Sequence, residues 1–443
     1  MHQRVAGRAV LLGVLLLALV GCQRATPTPV LTQPPPPSPT PTALPTPTLS
    51  PPLASFPLGE QVLEWVRQLV ALSPRDTVSG GEAKGAQFLE DAFTRMGYQV
   101  SRQPFPITLV QSHVALLAPQ EATVEGAHLL RSGEGEAEGE VVFIGLARPE
   151  DIPSGGIAGK IALADRGTVT FQEKARVAAE AGARALLVAN NQPGLFQGAM
   201  QSTAPLPVVG ISQEDGQRLK ELLAQGTVRL RLRVWRQDYP SQNIIAEKPG
   251  PSEGVVLITA HYDTVEAVPG ANDNSSGVGA LLTLAQRLGE RSWPFTLRFI
   301  AFGGEELGLW GSRAYVQSLS PEERQRIRAV LNLDVVGAAA NLATTGDNPL
   351  AQRIVEVARE AGIPLGFIDL RDAASDHLPF LQAGVPAVIL TTPDFRLIHT
   401  PQDRLEFLDR ESLENTVRLV EAVLQRLSAE TRQGRRPPVG ARG

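Results

Sequence analysis

The stretch VVLITAHYDTVEAVPGANDNSSGVGALLTLAQRLGERSWPFTLRFIAFGGEELG, residues 255–308, decides the fold class. VVLIT (255–259) and TLRFIAF (296–302) are short, near-continuous apolar runs, and GVGALLTLAQRLG (277–289) between them repeats its apolar residues at helical spacing. Apolar strands joined by a helix imply parallel neighbours buried on both faces. The same alternation continues downstream. SRAYVQSL (312–319) reads as a helix, AVLNLDVV (329–336) as a strand and AQRIVEVAREAG (351–362) as a helix. AVIL (387–390) follows as a strand and LENTVRLVEAVLQRL (413–427) as the closing helix. Upstream, Leu58 to Leu72 has the periodic face Val62, Trp65, Val66, Leu69, Val70. Glu82 to Met96 is a second helix, stopped by Gly97, and Tyr98 to Phe105 a strand. Residues 109–239 differ, with short strands, many glycines and one helix, Phe171 to Ala181. The expected class is α/β: a mostly parallel-strand sheet flanked by helices, with a smaller β-rich insertion.

Open α/β sheets build their sites beyond the carboxyl ends of the strands. After VVLIT come His261 and Asp263; the loop PGANDNSSG brings Asp273 to the start of a helix. After TLRFIAF come Glu305 and Glu306, LNLDVV contains Asp334, and LIHTPQD beyond AVIL contains His399. Singly, each has a plainer explanation: a surface histidine, a helix-capping aspartate, a solvated Glu-Glu face. Asp334 is harder to explain so, because an acid in an apolar strand is costly to bury without a partner. Together they form an N/O donor set suited to zinc, with cobalt or manganese as substitutes. A carboxylate such as Asp273 can bridge two ions, and paired ions lower the pKa of a shared water and polarise a carbonyl. Glu305, beside Glu306, can serve as the general base that such chemistry needs.

HYDTV, PGANDNSSG, GGEELGLWGS, LNLDVVG, SDHLPFLQAGVPA and IHTPQD, in this order, resemble the motif series of the co-catalytic dizinc aminopeptidase family, within the zinc exopeptidase clan. The resemblance implies that His261 and Asp334 bind one Zn2+, that Glu306 and His399 bind the other, and that Asp273 bridges them. It makes Glu305 the catalytic base and Asp263 the residue orienting His261. Asp376 and His377 match an SDH segment with a supporting or substrate-contact role. Where some members carry an oxyanion-stabilising Tyr, this chain has Asp372. The segment GEVVFIGLA…KIALADRGTVTFQEKARVAAEAGARALLVAN, followed by PLPVVGIS, resembles the protease-associated domain. Asp165, Arg166 and Glu173 there read as turns and surface charges.

The chain has 443 residues, with 41 Lys+Arg against 46 Asp+Glu, a formal net charge of −5, and 5% aromatics. Neither charge nor aromatic content suits a nucleic-acid binder. A single cysteine excludes an intrachain disulfide and a Cys-based zinc site. That cysteine, Cys22, ends the string ALVGC after a basic start and the apolar run Val10 to Val20. Residues 1–22 therefore resemble a bacterial lipoprotein signal, with Cys22 lipidated and holding the protein on the outer side of a bacterial membrane. Residues 23–52 contain 12 prolines and almost no charge, an extended spacer. The expected organisation is a peptidase domain over 53–108 and 240–428, the insertion over 109–239, and a disordered tail over 429–443. The expected function is an extracytoplasmic aminopeptidase acting on peptides. A related zinc carboxypeptidase, using Arg371 or Arg396 for the substrate carboxylate, a glutaminyl cyclase, and a non-catalytic peptide receptor are the alternatives.

Overall fold

The computed structural model describes residues 55–433 apart from 339–340, 346–347 and 370–373. Cys22, the leader, the spacer, Arg371, Asp372 and the tail beyond 433 lie outside the described residues. No helix among the described residues is long and apolar enough to cross a membrane.

Four strands, Ala387–Leu390, Ile327–Leu333, Val255–His261 and Thr296–Phe302, lie side by side in that order and run parallel. Successive side chains of a strand point to opposite faces, and both faces are covered. Val256, Ile258, Phe299 and Leu331 pack beneath the helices Leu58–Val70, Glu82–Arg95, Gly277–Leu288 and Arg410–Arg432. Leu257, Ile300 and Val330 pack on the other side with Tyr315, Val316 and Phe380. This two-sided burial explains why these strands read as unbroken apolar runs. The helix Leu58–Val70 has no side-chain N-cap and is held by packing, with Val62, Trp65, Val66 and Leu69 buried as expected. Gly97, at φ 79°, ends the second helix. Tyr98 and Phe299 meet edge to face at 5.4 Å.

The structure departs from the sequence expectation in the insertion. The strand begun at Tyr98 runs much further, as a 20-residue strand Gln99–Ala118 paired antiparallel with a second 20-residue strand, Arg229–Lys248. The boundaries placed at 108/109 and 239/240 fall inside this pair, where Ile107 faces Tyr239 and Thr108 faces Asp238. The insertion is therefore joined by continuous sheet rather than by loops. Its own parallel strands Ile161–Asp165, Ala185–Ala189 and Val208–Ile211 extend one 12-stranded sheet. It also holds a second helix, Gln213–Gln225, capped by the Ser212 hydroxyl accepting from Asp215 N–H. That helix buries only Gly216 and Leu219, so its apolar signal is weak. The strand assigned to 329–336 ends at Leu333 because Val335 is in the left-handed region, at φ 56°. The closing helix extends to Arg432, so 429–432 is helical rather than tail.

The loop after Thr296–Phe302 depends on glycine at Gly304. Its φ is +64°, and a Cβ there would lie 2.3 Å from Ile107 Cδ1. Gly304→Ala should cost at least the about 1–2 kcal/mol of a left-handed non-glycine residue, plus the repacking of Ile107. Urea unfolding checks this; a change below about 0.5 kcal/mol, the size of a neutral surface substitution, would contradict the packing described.

Candidate active site

Each strand end places a donor at the same edge. His261 is the last residue of its strand, Asp334 follows Leu333 directly, and Glu305 and Glu306 lie just past Phe302. The loop carrying Asp273 is stapled to the neighbouring strand end. Asn274 Nδ2 donates to Leu333 C=O at 2.9 Å, and Asn272 Oδ1 accepts from Gly337 N–H at 2.8 Å. His399, from the loop beyond Ala387–Leu390, has φ 56°, an uncommon backbone conformation for a non-glycine residue; its side chain is 52% exposed while the other donors are buried or nearly so.

The five expected ligands converge into two groups that share one residue. His261 Nε2 lies 3.1 Å from Asp273 Oδ1 and 3.2 Å from Asp334 Oδ1. His399 Nε2 lies 3.1 Å from both Asp273 Oδ2 and Glu306 Oε2. In each group, His261–Asp273–Asp334 and Asp273–Glu306–His399, the donor atoms lie within 4.8 Å of one another. Asp273 thus turns one oxygen to each group. Among the described residues, Glu306 Oε1 is buried and has no hydrogen-bond partner. This donor set, of imidazoles and carboxylates with an unused buried lone pair, fits a pair of zinc-like cations.

Asp263, expected to orient His261, hydrogen-bonds elsewhere. Its Oδ1 lies 3.6 Å from His261 Nδ1, and its two oxygens accept the N–H groups of Glu305 and Glu306, each at 3.1 Å. One buried carboxylate therefore anchors the Glu-Glu turn through two backbone amides and lies beside the imidazole without a hydrogen bond to it. Glu305 Oε2 lies 4.0 Å from His261 Nε2, at the edge of the first group. Asp334, just past the strand end, is also partnered: Ser375 Oγ donates to Asp334 Oδ2 at 2.6 Å and accepts from Asn332 Nδ2 at 2.8 Å. Of the SDH segment, Ser375 touches Asp334, whereas Asp376 and His377 are buried at 0% and 2% exposure. That burial favours the supporting role over substrate contact.

Two contributors were missed by sequence reasoning. Asp403 accepts the N–H groups of Asn272 and Asp273, at 2.7 and 3.0 Å. It ends the quoted run IHTPQD, and its position beside His399 was the available signal. Arg75, fully buried beneath the Asp273 loop, stands alone in a connection between two helices and carries no pattern that marks it.

Crowded carboxylates and burial shift the titrations. Burial pushes Glu305 well above the usual carboxylate range, with Asp334, Asp376 and Glu306 adding repulsion against the opposing pull of His261. Burial, with Asp273 beside it, pushes Glu306 up to about 7. Hydrogen bonds to Asp273 and Glu306 raise His399 to about 10. Burial would lower His261, but Glu305 and Asp334 overcome it and hold the imidazole protonated. Burial likewise works to raise Asp273, and its bonds to the two histidines win, keeping it ionised. At neutral pH the metal-free cluster thus stores protons on the groups that would have to ligate. Raised pKa values mean that the protons are held below the shifted values and lost above them. Zinc loading should therefore release protons and tighten as pH rises from 6 to 8. Titration calorimetry in two buffers of different ionisation enthalpy checks this; buffer-independent heats and a flat affinity would refute it.

The sequence matches peptidase family M28 over residues 243–424 and the PA domain over 131–219. It is 33% identical over 378 residues to aminopeptidase YwaD of Bacillus subtilis (strain 168), covering 80% of this chain and 81% of that protein. It is 35% identical over 256 residues to a probable leucine aminopeptidase 2 of Aspergillus fumigatus, covering 52% of this chain and 50% of the relative. The solved structure of BSAP, a zinc aminopeptidase from Bacillus subtilis, superposes with TM-score 0.65 at 29% identity, over 84% of this chain and 95% of that one. An aminopeptidase from Aneurinibacillus sp. strain AM-1 superposes with TM-score 0.59 at 29% identity, over 87% and 96%.

Proposed function

The chain belongs to peptidase family M28 as a zinc-dependent aminopeptidase, and we propose that it works with two zinc ions held by five side chains. The observation that carries the count is the geometry of Asp273, whose two oxygens each face one donor group at 3.1 Å. His261 and Asp334 would hold one ion, Glu306 and His399 the other, and Asp273 both. Zinc there supplies Lewis acidity, for the attacking water and for the scissile carbonyl.

The chain's own residues do the rest. Glu305 takes a proton from the attacking water and passes it to the departing amine; its carboxylate reaches the edge of the first donor group, 4.0 Å from His261 Nε2. Asp263 fixes Glu305 and Glu306 through their amides, so base and ligand keep a constant offset. Ser375 fixes the Asp334 carboxylate, and Asp403 fixes the backbone of Asp273. Arg396, offered for the carboxypeptidase reading, is 85% exposed and paired with Asp394 at 2.7 Å, which weakens that alternative. The complete donor set weakens the cyclase and receptor readings in the same way. Substrates with an apolar N-terminal residue fit this reading best. The leucine aminopeptidase name of the fungal relative supports the same preference.

The reading of Cys22 as a lipidated residue makes this an enzyme of a bacterial cell's outer or periplasmic side, reaching peptides on a proline-rich spacer. Cys22→Ser should release the protein from the membrane fraction; native protein without an acyl group would contradict the anchor.

Glu305→Gln should keep both metals and lose on the order of 10²- to 10⁴-fold in kcat, the usual contribution of a general base. Glu306→Gln should lose metal instead. Metal analysis with kinetics on aminoacyl, carboxy-terminal and blocked peptides checks the set. Near wild-type turnover by zinc-loaded Glu305→Gln would refute the mechanism, and cleavage of N-terminally blocked peptides would refute the aminopeptidase assignment.

A further inference from the structure

Arg75 lies between the helices Leu58–Val70 and Glu82–Arg95 and is completely buried. Among the described residues it forms no direct salt bridge; its guanidinium is spread over five oxygens. Nε donates to Tyr262 C=O at 2.7 Å. Nη1 donates to Leu69 C=O at 3.1 Å and to Ser73 Oγ at 2.6 Å. Nη2 donates to Ser275 Oγ at 2.9 Å and, more weakly, to Gly270 C=O at 3.4 Å. Its backbone N–H donates to Thr264 Oγ1 at 3.1 Å.

These partners are not scattered. Tyr262 directly follows His261, while Gly270 and Ser275 flank Asp273. One rigid fork therefore grips both ends of the loop that joins two of the proposed ligands. Ser275 Oγ also donates to Gly270 C=O, at 2.5 Å, which closes the turn around Asp273. Neutral acceptors alone are poor compensation for a buried charge. Burial pulls the Arg75 pKa down to about 10, and Asp263, Asp403, Asp273 and Glu306 act through space against that fall, so the group stays charged at neutral pH. A residue that had only to fill this space would not need charge.

We propose that Arg75 is a positioning residue for the metal centre, setting the distance between His261 and the bridging carboxylate Asp273 by clamping the loop between them. The inference rests on the reading of Asp273 as a shared ligand. It reaches the site from a segment nearly 190 residues upstream in sequence, through Tyr262 C=O. Lysine cannot replace it: one nitrogen cannot span both ends of the loop, whereas the planar fork does.

The test uses the zinc-loaded full chain and three variants: Arg75→Lys, Ser275→Ala and Asp273→Asn. Zinc affinity is read by chelator competition, alongside melting temperature, kcat and KM on an aminoacyl substrate. Arg75→Lys should lose about 10- to 100-fold in zinc affinity, the usual loss when a group supporting a ligand is removed. Its kcat should fall while KM stays within about two-fold. Ser275→Ala should shift in the same direction by a smaller factor while remaining folded at the assay temperature, and added free zinc should restore its kcat. The inference is overturned if both variants bind zinc and turn over like wild type. It is also overturned if Arg75→Lys loses zinc only in proportion to its unfolded fraction while Ser275→Ala is unaffected. Asp273→Asn separates the two levels. If it loses zinc while the other two keep it, only the clamp is wrong; if it keeps full zinc, the shared-ligand reading falls and the clamp with it.

Discussion

Repulsion among buried carboxylates is the constraint on which this structure depends. Asp263, Asp273, Asp334, Glu305, Glu306, Asp376 and Asp403 gather at one end of a parallel sheet, against His261, His399 and Arg75. Two like charges 4 Å apart cost about 4 kcal/mol at an effective dielectric constant near 20. The fold meets this cost group by group. Asp263 and Asp403 each accept two backbone N–H groups, Asp334 takes the Ser375 hydroxyl, and Asp273 takes both imidazoles. Burial, with the remaining repulsion, raises Glu305 and Glu306 above their ordinary values, and hydrogen bonds to Asp273 and Glu306 raise His399.

The sheet makes such an arrangement possible because parallel strands end together. The two long antiparallel strands add a second constraint. Ile107 packs against Gly304, and a Cβ at Gly303 would meet Ser241 Oγ at 2.6 Å and Gln242 C=O at 2.8 Å. The ribbon that carries the insertion thus passes directly under the turn bearing Glu305 and Glu306. The turn of Glu305 and Glu306 and the root of the insertion are packed as one unit, and glycine at 303 and 304 is what lets them approach.

Much of this was legible before any coordinates. The unbroken apolar runs announced strands buried on both faces, and Asp334 announced a partner by interrupting one of them. His261, Asp273, Glu305, Glu306 and His399 could be found because strand ends of open sheets converge. Other features were not legible for physical reasons. The alternation RLRLRVW (229–235) reports a half-exposed strand but not its length or partner, which depend on pairing with residues more than a hundred positions earlier. Val335 gives no hint of its left-handed conformation, which tertiary bonding imposes: its C=O accepts from Thr392 N–H at 2.7 Å. Arg75 is the plainest case, since its role lies in acceptors that are mostly backbone carbonyls, invisible in side-chain patterns.

We propose that one carboxylate, Asp273, is shared between two zinc ions at this sheet edge. Anomalous diffraction at the zinc edge, from crystals of the zinc-loaded protein, tests it most directly. Two peaks are expected a few ångströms apart, one within reach of His261 and Asp334, the other within reach of Glu306 and His399, each touched by one oxygen of Asp273. A single peak at full occupancy, or a second peak away from Asp273, would contradict it.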